Sequence, residues 1–309
     1  MYNSRKMQKA RYVDLFILTL AFLLSNWFVM NINAYPKELI NSLTKSPPIS
    51  PRLMNTKTTD NIPAHYGISY KLDKWSQYEN PEDGTLEEGD ILPLKWTGRR
   101  QVLREQLRLW PNGFIRYYVN SIITDEPKKL KVLEDALKEI TTKTKQCITF
   151  ERINDYEKLP EKNWVNITGH QRGCFSNVGR NPNGPNVLNL SVMDGCFFYI
   201  GHAIHEMLHT LGIKHEHSRP DRDGYITVIY ENIIQGKKHY FDRLNDTYVT
   251  TFGTPYDYES VMHYAMTAYT KYPKIYPTII PKIDVEIGQR QFLSLKDARK
   301  LQIAYNCAT

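Results

Sequence analysis

Five of the nine histidines in this 309-residue chain fall between His202 and His217, and three of them stand in the pattern His205-Glu206-x-x-His209-x-x-Gly212-x-x-His215. On a helix, residues four apart share a side, one turn apart, so the imidazoles of His205 and His209 can reach one ion. Ile200, Ile204, Met207, Leu208 and Leu211 fall on the other side and can anchor the helix in a core. Gly212 supplies the permissive φ that ends the helix and turns the chain, which brings His215 back as a third nitrogen. Three protein nitrogens leave a single Zn2+ with open coordination positions, the condition that separates a catalytic zinc from a structural one. Glu206 is then expected to reach a zinc-bound water, take its proton as general base and pass it to a leaving amine, which is peptide hydrolysis without a covalent intermediate. A solvated histidine-rich helix would not require Glu206 and Gly212 together.

Around this motif the hydrophobic pattern predicts the elements that must carry it. Trp110-Pro111-Asn112-Gly113 is a turn signal, and Phe114 to Val119 is an aromatic and β-branched run that reads as a strand. Pro127 suits a first helical turn, and Leu130, Leu133, Leu137 and Ile140 make one apolar face of a helix ending before Cys147. Ile148-Thr149-Phe150, Val165-Asn166-Ile167 and Val187 to Val192 read as strands. The order strand, helix, several strands, helix predicts an α/β or α+β layout around one sheet, with no internal repeat.

Upstream of residue 100 the pattern changes. Arg5, Lys6, Lys9 and Arg11 precede an apolar stretch from Leu15 to Met30, with Ala34 after it, so residues 1–34 read as a secretory signal peptide and the protein as secreted. The rival is a retained membrane anchor, because Trp27 to Met30 prolong the stretch; a span needs about 20 apolar residues, whereas these 16 are interrupted by Thr19, Ser25 and Asn26. From Tyr35 to about Gly98 the chain is rich in breakers such as Ser46-Pro47-Pro48 and Asn80-Pro81, and reads as an extended leader. Gly98-Arg99-Arg100 then offers a dibasic site to an activating protease.

Composition narrows the function class. The net charge of +7 is spread thinly, with 13 basic and 10 acidic groups in residues 1–100 and 27 and 23 in the rest. No stripe of Lys and Arg marks a nucleic-acid footprint. Cys147, Cys174, Cys196 and Cys307 are an even set suited to an oxidising compartment, with three possible pairings and no close Cys-x-x-Cys. Sequons at Asn166, Asn189 and Asn245 are candidate glycosylation sites.

The stretch from His205 through His215-Glu216-His217-Ser218-Arg219-Pro220-Asp221-Arg222-Asp223 resembles the signature of the astacin family of metzincin zinc endopeptidases, with Glu216 as its distinguishing residue. Ser260-Val261-Met262-His263-Tyr264 is similar to the family's Met-turn, and the resemblance implies that Met262 lies beneath the metal and that Tyr264 is an additional zinc ligand that swings off to stabilise the transition state. Gly173-Cys174-Phe175-Ser176, Gly195-Cys196, Ile287-Gly288-Gln289-Arg290 and Tyr305-Asn306-Cys307 look like further landmarks, so the likeness covers residues 101–309 almost continuously. It implies Cys147–Cys307 and Cys174–Cys196 bridges. It also implies the metzincin protease fold: a twisted mixed sheet with helices in an upper subdomain, an irregular lower subdomain, and the zinc cleft between them. Val187 to Leu190 matches the edge strand that pairs with an extended protein or peptide substrate, and a glycan on Asn189 would obstruct the cleft.

The same resemblance implies a zymogen. Glu88-Gly89-Asp90-Ile91 is similar to the end of the pro-segment motif Phe-x-Gly-Asp, which makes Asp90 the zinc ligand of the latent form; Glu87 stands where the family has Phe, and this weakens apolar packing of a 35–100 pro-segment. Cutting after Arg100 starts the catalytic domain, 101–309, at Gln101, whose ammonium is expected to fold toward Glu216 unless Gln101 cyclises. His202, His217 and His263 read as packing or orienting residues, and Arg219, Asp221 and Arg222 as a charge run that could form an ion-pair network beside the site but is by default solvated. The competing function class is a noncatalytic peptide binder on the same scaffold, whose hallmark, a lost ligand or a replaced Glu206, this sequence lacks.

Overall fold

The computed structural model describes residues 81–94, 108–245, 251–272 and 275–307, all within one compact unit, Pro63–Thr309. The expected signal peptide, most of the leader, the cut after Arg100 and the new terminus at Gln101 lie outside the described residues.

Strand β1, Phe114–Val119, alternates outward and inward, burying Ile115, Tyr117 and Val119. Helix α1, Pro127–Lys143, starts on its proline and buries Leu133, Ala136, Leu137 and Ile140 against the sheet. Each such side chain contributes about 1.5–3 kcal/mol of burial. The helix is the crossover that a parallel pair requires: β2, Thr149–Arg152, returns parallel to β1 with Phe114 opposite Thr149. β3, Val165–Thr168, lies parallel on the other side of β1, and β5, Asn186–Leu190, lies parallel to β3.

The sheet closes with β4, Cys174–Ser176, antiparallel to β5, so the strand order is β2-β1-β3-β5-β4. This corrects one expectation, because Val187 to Leu190 is an interior strand and the edge is Cys174–Ser176. The run at 187–190 carries the stronger β-branched and aliphatic signal because it is covered on both sides. β4 is too short and polar to announce itself. Asn189 is fully buried, its Nδ2 donating to the carbonyls of Gln171 and Gly173 at 2.9 and 2.8 Å. Its sequon is therefore sealed by the sheet.

Helix α2, Ile200–Thr210, packs on α1 and β4 and has every residue from Gly201 to Thr210 buried. Its last carbonyls are satisfied from outside, Thr210 by the Trp110 indole at 2.9 Å and Leu211 by the Tyr305 hydroxyl at 3.0 Å. A third helix, α3, Leu295–Ala304, is capped by Ser294. Both implied bridges are formed, Cys147–Cys307 joining the ends of α1 and α3, and Cys174–Cys196 fastening β4 to the turn before α2.

A second, smaller apolar cluster gathers Ile226, Ile233, Tyr240, Phe241, Tyr256, Tyr264, Met266, Tyr269 and Ile279. It surrounds the two-stranded pair β6, Ile226–Val228, and β7, Ile279–Pro281, and is otherwise made of turns and short 3-10 helices. The expected division into a sheet-and-helix part and an irregular part is what is found. The histidine motif lies where the two clusters meet, since Met262 belongs to the first and Tyr264 to the second.

Candidate metal centre

His205 and His209 leave α2 from one side, as their spacing predicts, with ring centroids 4.8 Å apart. Gly212, at φ +98°, reverses the chain just after the helix, a backbone state that a side chain would strain. His215 follows, and its ring centroid lies 4.6 Å from that of His209 and 5.3 Å from that of His205.

Each ring is oriented from behind. His205 Nδ1 donates to the Val261 carbonyl at 2.7 Å, His209 Nδ1 to the Ile213 carbonyl at 2.8 Å, and His215 Nδ1 to Glu88 Oε2 at 2.8 Å. A donating Nδ1 leaves the lone pair on Nε2. The Nε2 atoms converge: His209 and His215 are 3.2 Å apart, and Asp90 Oδ2 is 3.0 Å from His205 Nε2 and 3.2 Å from His215 Nε2. Asp90, His205, His209 and His215 each offer one ligand atom within 4.8 Å of the others, and all four are buried.

This donor set fits zinc. Imidazole nitrogens turned toward one another at 3.2 Å, with their outer nitrogens already donating and a carboxylate oxygen beside them, make a donor set of three nitrogens and one oxygen that suits zinc. Glu206 agrees, because both its oxygens are fully buried and neither carries a hydrogen bond. Burial, together with the charges of Asp90 and Glu82, holds its carboxyl well above the usual range. Burial pushes Asp90 up as well, but His215, His209 and the bond from His205 outweigh it and hold it well below. A second grouping, Glu82 with Cys174 and His202, holds no metal by this logic, since the Cys174 sulfur is in a disulfide.

Residues 81–94 lie across the site. The Asp90 carbonyl accepts from Ser176 N at 2.9 Å and Leu92 N donates to Ser176 O at 2.8 Å, so the segment pairs in parallel with the exposed side of β4. A turn from Leu86 to Gly89 aims Asp90 inward, and Gly89, at φ +93°, is required there because a Cβ would meet the Tyr269 hydroxyl at 1.9 Å. Tyr264 donates its hydroxyl to the Glu88 carbonyl, and its ring stacks on His217 at 3.7 Å. Its phenol therefore faces the segment in this structure. Glu87, standing where an apolar residue was expected, reaches toward Lys214 at 3.7 Å.

Sequence reasoning missed the contacts that take the place of that packing. Glu82 is buried against His202 and Arg290, and Glu88 pairs with Lys214 as well as His215. The carboxylates stood in plain view, but nothing in a linear pattern said which cations they meet. The reading of Arg219 and Arg222 as solvated is corrected: they are 5% and 4% exposed, Arg219 bound to Glu216 and Asp221 and Arg222 to the carbonyls of His217 and Phe241. A charge run looks solvated until the chain folds its partners over it. His217 and His263 do pack and orient: His217 Nε2 donates to the Tyr240 carbonyl, and His263 Nε2 accepts from the Tyr256 hydroxyl while its Nδ1 donates to the Tyr264 carbonyl.

A family model described as Astacin, a peptidase family, matches residues 102–306. Over 239 residues the chain is 33% identical to zinc metalloproteinase nas-4 of Caenorhabditis elegans, covering 74% of this chain and 71% of that protein. It is 34% identical over 229 residues to zinc metalloproteinase nas-14 of the same organism, and 32% over 228 residues to tolloid-like protein 1 of Homo sapiens. These matches cover 73% and 70% of this chain but 43% and 21% of those longer proteins. Among solved structures, high choriolytic enzyme 1, a hatching enzyme zinc-protease from Oryzias latipes, superposes with a TM-score of 0.58 at 30% identity, covering 67% of this chain and 99% of that one.

Proposed function

Since the chain belongs to the astacin family and is a zinc metalloendopeptidase, we propose that it is a secreted enzyme made as a zymogen, with a signal peptide over 1–34, a pro-segment over 35–100 and a catalytic domain over 101–309. His205, His209 and His215 would hold one zinc ion, with Asp90 as a further ligand in the latent form only. When bound, zinc supplies Lewis acidity and lowers the pKa of a water molecule.

The chain's own residues do the rest. Glu206 accepts a proton from the attacking water as its oxygen adds to the peptide carbonyl carbon, and returns that proton to the nitrogen as the C–N bond breaks. Tyr264, once Glu88 no longer engages its hydroxyl, donates to the oxyanion. The edge strand Cys174–Ser176, bared when residues 81–94 leave, offers its backbone to an extended protein or peptide substrate. Latency follows from the same segment: it covers that edge, occupies Tyr264 and places Asp90 among the imidazoles. Release requires an activating protease, with the bond after Arg100 as its target.

The observation that carries this reading is the buried Glu206 carboxylate, without a hydrogen bond, beside three converging imidazoles. Protein trimmed after Arg100 should cleave an unstructured protein and lose that activity to a chelator. Glu206→Gln should lower kcat/KM by about 10²–10⁴-fold while zinc content stays unchanged. Full activity in the Gln variant, or a trimmed protein that binds peptide without cutting it, overturns the mechanism.

A further inference from the structure

Behind the imidazoles lies a cation that the proposed chemistry does not use. Lys300, on α3, is 3% exposed, and its Nζ sits between two carboxylates, 2.5 Å from Glu216 Oε2 and 3.1 Å from Asp297 Oδ1. Burying an ammonium is costly, and here it is offset only because two buried carboxylates, which an apolar side chain would leave without their shared cation, converge on it. Both of its partners act on the metal centre. Glu216 follows His215 directly; its backbone N–H donates to the Met262 carbonyl at 3.0 Å, and its Oε1 accepts from Asp257 N at 2.8 Å and from Arg219 at 3.1 Å. Asp297 is also buried, accepting from Ser260 Oγ at 2.7 Å and from Val261 N at 2.9 Å. The carbonyl of that same Val261 receives the Nδ1 proton of His205.

The contacts form one unbroken path from His205 to Val261, Asp297, Lys300, Glu216 and His215. Arg219 also neutralises Glu216, but among the described contacts only Lys300 touches both carboxylates. We propose that Lys300 is a positioning residue whose ammonium clamps the Glu216 and Asp297 carboxylates together and thereby fixes the first and third imidazoles relative to each other. It is a standing cation for Glu216 supplied from within the fold, so orientation of His215 does not wait on an ammonium at Gln101. The proposal rests on the reading of the three histidines as metal ligands.

The test uses the full chain loaded with cobalt(II) or zinc. Lys300→Gln keeps a hydrogen-bonding side chain but removes the charge, and should release metal to a chelator at least about tenfold faster than the unaltered protein, within the range that losing an outer contact costs. The visible absorption bands of the cobalt form should shift, and Lys300→Arg should restore both the bands and the slow release. Lys131→Met, on the exposed side of α1, should leave both unchanged. If Lys300→Gln lowers the thermal midpoint while release rate and cobalt bands stay as in the unaltered protein, the residue only stabilises the fold and the proposal is wrong. Should Lys300→Gln not fold, Ser260→Ala loosens Asp297 from its other side: faster release supports the clamp, and unchanged release overturns it. If the unaltered chain binds neither metal, the ligand reading fails first and the clamp falls with it.

Discussion

A carboxylate's place in this molecule decides what it can do. Glu206, Asp90 and Glu216 are all buried beside the histidines, yet Glu206 has no hydrogen bond, Asp90 is shared among three imidazoles, and Glu216 is held by Lys300, Arg219 and a backbone amide. Only the first is free to trade a proton. If, as proposed, Asp90 is the latent-form ligand, the untrimmed chain with Asp90→Ala should show at least about tenfold more peptidase activity than the unaltered untrimmed chain, measured on a quenched fluorescent peptide. Activity no higher than background in that variant would mean that coverage of β4 alone, rather than the carboxylate, maintains latency.

Among the elements, residues 81–94 are held by backbone pairing to β4, ion pairs and tyrosine hydroxyls, with Ile91 as their buried apolar side chain. Tyr240 and Tyr269 donate to the carbonyls of Thr85 and Gly84 at 3.1 and 3.3 Å, Glu82 pairs with the buried Arg290, and Glu88 with the half-buried Lys214. The tight turn at Gly89 aims all of this. Gly89→Ala forces a Cβ into the Tyr269 hydroxyl at a strained φ, at a cost of about 1–3 kcal/mol, and should make the segment dissociate faster after trimming, as followed by size-exclusion chromatography of the cut protein; retention equal to the unaltered chain argues against that role. β1, α1, β3 and β5 were readable in the sequence because apolar residues recur at the element's own period, and β2 only at its start, from Ile148 and Phe150 on either side of Thr149. β4 and the β6–β7 pair were not, since three residues do not make a period and their pairing depends on distant chain. The histidine cluster was readable because a helix turns spacing into geometry. Lys300 was not, because a lysine on a helix reads as solvated until the carboxylates of Asp297 and Glu216 arrive.

At the scale of the molecule, two disulfides and one ion would tie together parts far apart in sequence. Cys147–Cys307 spans 160 residues and fastens α3, the helix bearing Lys300 and Asp297, to the end of α1. Replacing both cysteines by serine should lower unfolding free energy by about 2–5 kcal/mol, read as a lower denaturant midpoint, with metal lost earlier in the titration than in the parent. Coincident metal loss and unfolding at the parent's midpoint would mean that α3 is held by packing alone. The sealed Asn189 has a further consequence. Its acceptor tripeptide is accessible only while the nascent chain has not yet paired β4 with β5, and an oligosaccharide attached in that interval would remove one of the two N–H groups that Asn189 gives to the Gln171 and Gly173 carbonyls. In a chain that is secreted as proposed, collapse of the sheet and attachment of a sugar would therefore compete for one side-chain amide.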